Sequence, residues 1–145
     1  MNVGIVGSGA LKFTVEQAVT VKGLIESLLS EPGTVLVSGA SPGGGVDEWA
    51  EQVANTLHRK KIIHRPVDHT WLGGFRRRNL KIARDSEIVN VIVPRDYPVD
   101  YQGKRGVTCY HCIGTREPRH ISSGGCWTAR KAIEKGKEAR WHIIP

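Results

Sequence analysis

Several things are scarce or missing in this chain. It has only three cysteines among 145 residues, an odd number that argues against a disulfide framework and leaves metal binding or free thiols open. No apolar run approaches the roughly 20 residues that span a bilayer. The first residues, Met1–Val6, read as a strand, without the basic region or cleavage site of a signal peptide. We therefore expect a cytoplasmic protein with no membrane partner.

Two common catalytic signatures are also missing. The sequence has no Ser-His-Asp signature, and its glycine-rich loop lacks the G-K-[ST] ending of a phosphate-binding P-loop. Its net charge of +7 favours anionic partners, from nucleotides to nucleic acid or an acidic protein, or serves solubility alone. A length of 145 residues fits a single domain over residues 1–145.

Strand patterns alternate with helical patterns from end to end, which is typical of a parallel α/β sheet. The predicted strands are Val3–Val6, Thr34–Ser38, Ile62–Arg65, Ile88–Val93 and Trp141–Ile144. The predicted helices are one containing Val21, Leu24, Ile25 and Leu28, one from near Val46, one over Gly74–Arg84 and one over Cys126–Lys135.

Five strands with right-handed crossovers predict the order 3-2-1-4-5. The expected fold is a Rossmann-like three-layer α/β/α sandwich with a mainly parallel sheet. Pro66, after the third strand, favours an edge position for that strand. Ligands in such sheets bind at the carboxyl ends of the strands, beside the switch point.

The run from Val35 to Asp47 is the most informative segment. A buried strand ends in a loop with several glycines, and that loop opens an amphipathic helix. Glycine allows close backbone approach, and helix N-termini attract anions. We predict that this loop, with the loop after the first strand, binds phosphate or ribose. The candidate residues are Gly7, Ser8, Ser38, Gly39, Gly43, Gly44 and Gly45.

Two carboxylates and an Arg-Asn pair stand beside that loop. Asp47 and Glu51 lie one helical turn apart, so either could accept ribose hydroxyls or act as a general base; alternatively Asp47 caps the helix and Glu51 is solvated or paired. Arg78 suits phosphate oxygens, and Asn79 binds the ligand or ties the loop.

A second glycine pair precedes the last helix. Gly124 and Gly125, with Thr128 in the first turn, offer another N-terminal anion site. The alternative is an ordinary N-cap by Ser123.

The long stretch over residues 94–125 has little periodicity. A loop of this length in a compact domain is expected to be functional or to be held in place by a cross-link. A C-x2-C-x7-H-x5-C arrangement, formed by Cys109, Cys112, His120 and Cys126, occupies its second half. Four such ligands could hold a structural zinc ion; the alternative is three buried apolar thiols. No organic cofactor is implied.

The order of these motifs resembles the SLOG superfamily of Rossmann-like domains. The matching residues are Ser38-Gly39-Ala40, Gly45-Val46-Asp47, Ala50-Glu51, Arg78-Asn79 and Ala83-Arg84-Asp85. This superfamily includes the LOG phosphoribohydrolases, the DNA-processing protein A family and many phage and bacterial proteins. The resemblance implies a nucleotide or nucleotide-derived ligand at the strand ends. Unlike LOG enzymes, this chain has Glu48 and Glu51 flanking the expected glutamate position.

The resulting expectation is a nucleotide-binding protein. If it is an enzyme, hydrolysis of an N-glycosidic or phosphate bond fits best, with Asp47 and Glu51 as the catalytic candidates. The alternatives are a single-stranded nucleic-acid-binding protein, favoured by Arg76–Arg78, or a zinc-stapled interaction module. Whether the chain forms a homo-oligomer stays open.

Overall fold

The computed structural model describes residues 1–106 and 108–145; Val107, in the predicted loop 94–125, lies outside the described residues. Within these ranges the strands are β1 Asn2–Gly7, β2 Val35–Gly39, β3 Lys60–His64, β4 Ile88–Pro94 and β5 Glu138–Ile144. They form one sheet in the order β3-β2-β1-β4-β5, and each pair is parallel. The predicted strand order and the edge position of β3 are confirmed.

Four α-helices cover the two faces of this sheet. Their bounds are α1 Val15–Leu28, α2 Val46–Thr56, α3 Arg76–Asp85 and α4 Gly124–Glu134. Helices α1 and α2 pack together on one face, and α3 and α4 pack together on the other. The predicted three-layer sandwich is therefore confirmed.

The central strand β4 shows why the sheet has two cores. All of its seven residues are buried. Ile88 and Ile92 belong to the core beneath α1 and α2, whereas Val89, Val91 and Val93 belong to the core beneath α3 and α4. Alternate side chains of a strand point to opposite faces, so a strand that is covered on both sides is mostly apolar; the polar residue of β4 is Asn90, whose Nδ2 donates to the Gly4 carbonyl at 3.3 Å.

Helix α3 begins two residues later than predicted, because a turn of π-helix over Trp71–Phe75 precedes it. Thr70 caps this turn by accepting a hydrogen bond from the Gly73 amide at 3.0 Å. A Cβ at Gly74 would lie 2.0 Å from the Asp68 carbonyl oxygen, so the backbone packs here in a way that only glycine allows. The sequence prediction extended the α-helix through this turn, because the spacing of residues alone does not distinguish a π-helical turn from an α-helical one.

The last two elements each begin earlier than predicted. Helix α4 starts at Gly124, and not at Cys126, because Ser123 Oγ accepts a hydrogen bond from the Gly125 amide at 3.1 Å. Strand β5 starts at Glu138, three residues before Trp141, because it pairs with β4 along its whole length. Its first residues alternate in exposure at the sheet edge, which weakens their apolar signal.

The segment between β4 and α4 has no helix or strand among its described residues. The Ile121 amide returns to the Pro94 carbonyl at 3.2 Å, and Arg105 Nη2 donates to the carbonyls of Pro98 and Tyr101. In the described ranges, no helix combines the length and apolar character that a bilayer crossing requires.

Candidate functional site

A cavity of about 220 Å³ opens at the carboxyl ends of the central strands. This is the edge where the β3-β2-β1-β4-β5 order places the switch point between β1 and β4. Its walls come from β1, the loop after β2, the π-helical turn and the first turns of α2, α3 and α4. The lining residues are Val6, Gly7, Ser41, Pro42, Asp47, Trp71, Phe75, Arg78, Asn79, Ile82, Gly124, Gly125 and Thr128.

Asp47 is the acidic group of this cavity. It lies in the first turn of α2 and is only 4% exposed. Its Oδ2 accepts hydrogen bonds from the Ser41 amide at 3.2 Å and the Ser41 hydroxyl at 2.5 Å. Ser38 Oγ lies 3.5 Å from Oδ1. Asp47 therefore ties the glycine-rich loop to the helix, and the alternative role as a helix cap does not describe its contacts.

Arg78 is the basic group, and it lies 8% exposed on α3. Its Nε donates to Asn79 Oδ1 at 2.7 Å, and its guanidinium lies 5.2 Å from the Phe75 ring centroid. Its Nη1 is buried without a hydrogen-bond partner among the described residues, 3.9 Å from Asp47 Oδ2. A buried unsatisfied donor of this kind is costly, so a ligand that accepts from it would be stabilised.

Gly39 makes room for this arginine. A Cβ at Gly39 would lie 2.2 Å from Arg78 Nη1 and 2.9 Å from its Cζ. Any larger residue at the end of β2 would displace the guanidinium. Gly39 is not a lining residue of the cavity; it lets Arg78 reach the end of the strand, and its role in ligand binding stays a prediction.

Burial shifts the ionisation of both groups. Desolvation is the largest effect on Asp47 and raises its pKa to about 6, against opposing contributions from the Ser41 hydrogen bond and the Arg78 charge. Desolvation likewise lowers the pKa of Arg78, while Asp47 opposes that shift. A carboxyl group with a pKa near neutrality suits proton transfer.

The three consecutive glycines, Gly43–Gly45, do not line this cavity. Gly45 has a φ of +74°, and a Cβ there would lie 2.5 Å from both the Ser8 carbonyl oxygen and the Ala10 amide. The Val46 amide donates to the Ser8 carbonyl at 3.2 Å. The glycine-rich loop is therefore packed against the turn after β1, which itself explains part of its composition.

Three further predicted residues, Glu51, Ser8 and Ser38, are not lining residues of the cavity. Glu51 pairs with Lys61 at 3.4 Å and with Arg65 at 3.7 Å, on the β3 side of α2. Ser8 is 3% exposed and is not a lining residue, although its Oγ has no hydrogen-bond partner among the described residues. Their roles in ligand binding stay predictions.

The structure brings together predicted residues from several segments and adds apolar walls. The predicted residues that line the cavity are Gly7, Asp47, Arg78, Asn79, Gly124, Gly125 and Thr128. Sequence reasoning missed the contributions of Ser41 and Phe75. Ser41 lies between the strand and the glycines and resembles any turn residue, and the π-helical turn that aims Phe75 into the cavity has no sequence period of its own.

A second group lies on the far side of α4 and matches the predicted metal ligands. Cys109, Cys112, His120 and Cys126, which we call the Cys3His cluster, are all buried, and their ligand atoms lie within 4.8 Å of one another. Zinc with sulfur and nitrogen ligands at 2.0 to 2.3 Å needs donor separations of this order. The cluster could hold a metal ion.

Neighbouring protein groups orient these ligands and form hydrogen bonds with them. His120 Nδ1 lies 2.7 Å from the Pro118 carbonyl, which fixes the hydrogen on Nδ1 and leaves Nε2 to face the sulfurs. Arg130 Nη2 donates to Cys112 Sγ at 3.3 Å, and Trp141 Nε1 donates to Cys126 Sγ at 3.4 Å. These are N–H···S contacts that suit thiolates.

Burial raises the pKa of the Cys112 and Cys126 thiols. Without a cation these two sulfurs therefore carry protons at neutral pH, and neutral thiols offer little to the Arg130 and Trp141 donors. A bound divalent ion deprotonates coordinating thiols. The donor chemistry around the cluster thus fits a metal-loaded state.

Two solved structures share the architecture of this chain. TM1055, a structural genomics target, superposes with a TM-score of 0.59 at 16% identity, over 95% of this chain and 71% of its own. DNA processing protein A from Streptococcus pneumoniae superposes with a TM-score of 0.54 at 20% identity, over 98% of this chain. This chain therefore shares the Rossmann-like fold of these two structures.

This chain spans 50% of the length of DNA processing protein A. No protein-family model matches the sequence, and no curated protein matches it at a significant level. The structural similarity therefore concerns the fold, and the chemistry of the site has to be argued from its own residues.

Proposed function

We propose that the cavity binds a nucleotide or nucleotide-derived small molecule. The observation that carries this proposal is the buried Arg78 Nη1, which has no hydrogen-bond partner among the described residues and lies in the cavity wall. A guanidinium in such a place matches the geometry and charge of a phosphate. The position at the carboxyl ends of the strands supports the same class of ligand.

The other walls suit the remaining parts of such a ligand. The Asp47 carboxylate, 3.9 Å from Arg78 Nη1, is placed to accept hydrogen bonds from ribose hydroxyls. Trp71 is 40% exposed at the mouth, and with Phe75 it offers aromatic surface for a base. The cavity volume of about 220 Å³ falls below the range of drug-sized pockets, which favours a mononucleotide or a sugar phosphate.

Hydrolysis is the reaction that these groups would support. With a pKa near 6, Asp47 can take a proton from water or stabilise positive charge on a sugar ring. The bond broken would be an N-glycosidic or a phosphate bond. Glu51, paired with two cations on the β3 side, would act only after leaving those partners.

The proposal is tested by titration calorimetry with ribose 5-phosphate and the four common nucleoside monophosphates. We expect saturable binding of one ligand per chain, weakened at least about tenfold by Arg78→Met, since a charge-assisted hydrogen bond contributes 1.5–3 kcal/mol. Arg77→Met, which removes an exposed arginine from the same helix turn, is the matched control. Absence of binding by every ligand, or equal loss in both variants, would refute the proposal.

Single-stranded nucleic acid is the competing ligand. DNA processing protein A has the same fold, and Trp71 is exposed at the start of the π-helical turn that precedes the arginines of α3. A strand bound across this surface would lose affinity with a slope of about −0.7 per neutralised phosphate against log salt. A mononucleotide in the cavity would show a much smaller slope.

We also propose that the Cys3His cluster holds a structural zinc ion. The close approach of the four ligand atoms carries this proposal, and four protein ligands leave no position for a reactive water. When bound, zinc would join the loop to α4. Elemental analysis of the purified protein should give one zinc per chain, and Cys112→Ser should lower that ratio; a chain without metal would contradict the assignment.

A further inference from the structure

The first turn of α4 belongs to both the cavity and the Cys3His cluster. Gly124, Gly125 and Thr128 line the cavity, whereas Cys126 supplies a sulfur to the cluster. At 100° per residue, Cys126 points away from the face that the other three share. One turn of helix therefore separates the metal ligands from the ligand-binding wall.

A pair of tryptophans makes a second connection. Trp127 follows Cys126 directly, and its ring meets the Trp71 ring edge to face, with centroids 4.8 Å apart. Trp71 lines the cavity on the opposite side, in the π-helical turn. A displacement of the start of α4 would therefore move the aromatic wall as well as the glycine wall.

Non-covalent contacts connect α4 to the loop before it: Cys126 Sγ lies 3.5 Å from His120 Nε2, and Arg130 of the same helix pairs with Glu117 of the loop at 2.6 Å. Ser123 caps the helix at the Gly125 amide, and the Ile121 amide bonds to the Pro94 carbonyl. The three cysteines are free, so no covalent bond ties Cys126 to Cys109 and Cys112 across the loop. Shared coordination of a metal would add a far stronger tie between Cys126 and the loop.

The sheet side tolerates little displacement. A Cβ at Gly125 would lie 3.0 Å from Val6 Cγ2 and 3.3 Å from the Gly7 amide. The helix start thus sits directly on the end of β1, where the cavity begins. A small shift or loosening of this turn changes the shape of the cavity floor.

We propose that the metal centre positions the α4 wall of the ligand cavity, so that Cys126 is a positioning residue for ligand binding. This inference rests on the proposed function. Metal loading would fix Gly124, Gly125 and Thr128 against β1 and hold Trp127 behind Trp71. Ligand affinity would then depend on the metal, although no metal ligand lines the cavity.

The test uses the full chain labelled with 5-fluorotryptophan, with the Trp71 resonance assigned by Trp71→Phe. Fluorine NMR spectra and calorimetric titrations with adenosine 5′-monophosphate are recorded for the zinc-loaded chain, for the chain after chelation, and after zinc is returned. We expect chelation to shift or broaden the Trp71 signal and to weaken binding by about tenfold, within the usual range of coupling between two sites. Returning zinc should restore both.

Two variants separate the metal from the helix itself. Cys109→Ser removes a ligand from the loop without altering α4 and should reproduce the effect of chelation. Ile113→Ser changes an exposed residue of the same loop and should not. If circular dichroism shows that a variant does not fold, the comparison of the unaltered chain after chelation and after the return of zinc still tests the proposal.

The possible failures are distinguishable. If the chelated chain is folded and metal-free but keeps its Trp71 signal and its affinity, the positioning role is wrong. If the chain takes up no metal, the zinc assignment and this inference fail together. If the nucleotide does not bind even to the loaded chain, the ligand proposal fails, and the Trp71 signal alone decides the positioning.

Discussion

Arg78 Nη1 lies 3.9 Å from Asp47 Oδ2, and both side chains are more than nine-tenths buried in the wall of one cavity. The two residues are 31 positions apart and come from helices on opposite faces of the sheet. The Arg78 guanidinium is not fully satisfied, because its Nη1 has no hydrogen-bond partner among the described residues. The pair is therefore a charged site prepared for a polar ligand, and it also costs stability.

The first prediction concerns the pH dependence of stability. The pKa of Asp47 is about 6 in the folded chain and near 3.9 when unfolded. Between pH 4 and pH 6 the unfolded chain therefore releases this proton before the folded chain does, and stability falls as the pH rises. The Asp47→Asn variant has no such loss of stability. The difference in free energy of unfolding between this variant and the unaltered chain should therefore rise by on the order of 2–3 kcal/mol from pH 4 to pH 6.

Urea denaturation at a series of pH values measures this difference. Glu48→Gln, which neutralises an exposed carboxylate in the same turn of α2, is the matched control. A difference for Asp47→Asn that stays constant from pH 4 to pH 7 would show that burial does not perturb this group.

The second prediction tests the coupling within the pair. Arg78→Met leaves Asp47 buried without its cationic neighbour and should cost about 3 kcal/mol or more at neutral pH. In the double variant with Asp47→Asn the uncompensated charge is gone, so the double variant should be more stable than the sum of the single effects predicts. A double-mutant cycle measures the coupling energy. Strict additivity would mean that the two charges do not interact.

The third prediction concerns the glycine-rich loop. Gly45→Ala introduces a Cβ at positive φ, 2.5 Å from backbone atoms of the turn after β1, and should destabilise the chain by at least about 2 kcal/mol. Gly43→Ala, two residues earlier, meets nothing within 4 Å and should change stability by less than about 0.5 kcal/mol. Thermal and urea unfolding of the two variants provide the comparison, and equal effects would be inconsistent with the packing described.

The fourth prediction concerns Arg130. This residue donates to Cys112 Sγ, pairs with Glu117 at 2.6 Å and stacks on the Trp141 ring at 4.2 Å. A zinc ion with three thiolates carries one net negative charge, which Arg130 would balance in a buried site. Arg130→Met should therefore weaken zinc binding about 10- to 100-fold, as expected for groups that support metal ligands.

Competition with a chromogenic chelator measures that affinity. Lys135→Met, at the exposed end of α4, removes one positive charge without touching the cluster and should leave zinc binding unchanged. Equal losses in the two variants would assign the effect to general electrostatics.

The sequence predicted the layered architecture because it depends on patterns that span whole elements. The run in β4, apolar apart from Asn90, and the alternation of strands and helices leave few arrangements of the sheet. The spacing of Cys109, Cys112, His120 and Cys126 in the sequence also predicted that these four residues form one group. Zinc itself stays a prediction.

The details of the cavity could not be read in the same way. The three consecutive glycines indicated a phosphate cradle, yet Gly45 packs on the backbone after β1, and a sequence does not tell which neighbour a glycine must accommodate. The predicted partnership of Asp47 and Glu51 assumed that a shared helix face means a shared environment. In the structure Glu51 instead pairs with Lys61 on β3 and with Arg65, which follows β3. These contacts depend on where the strand lies relative to α2.

A crystal structure of the zinc-loaded chain with adenosine 5′-monophosphate tests the central claim most directly. The account predicts a phosphate oxygen within hydrogen-bonding distance of Arg78 Nη1 and the nucleoside between Asp47 and the aromatic wall. A nucleotide bound elsewhere on the surface, with Arg78 still facing only Asp47, would contradict it.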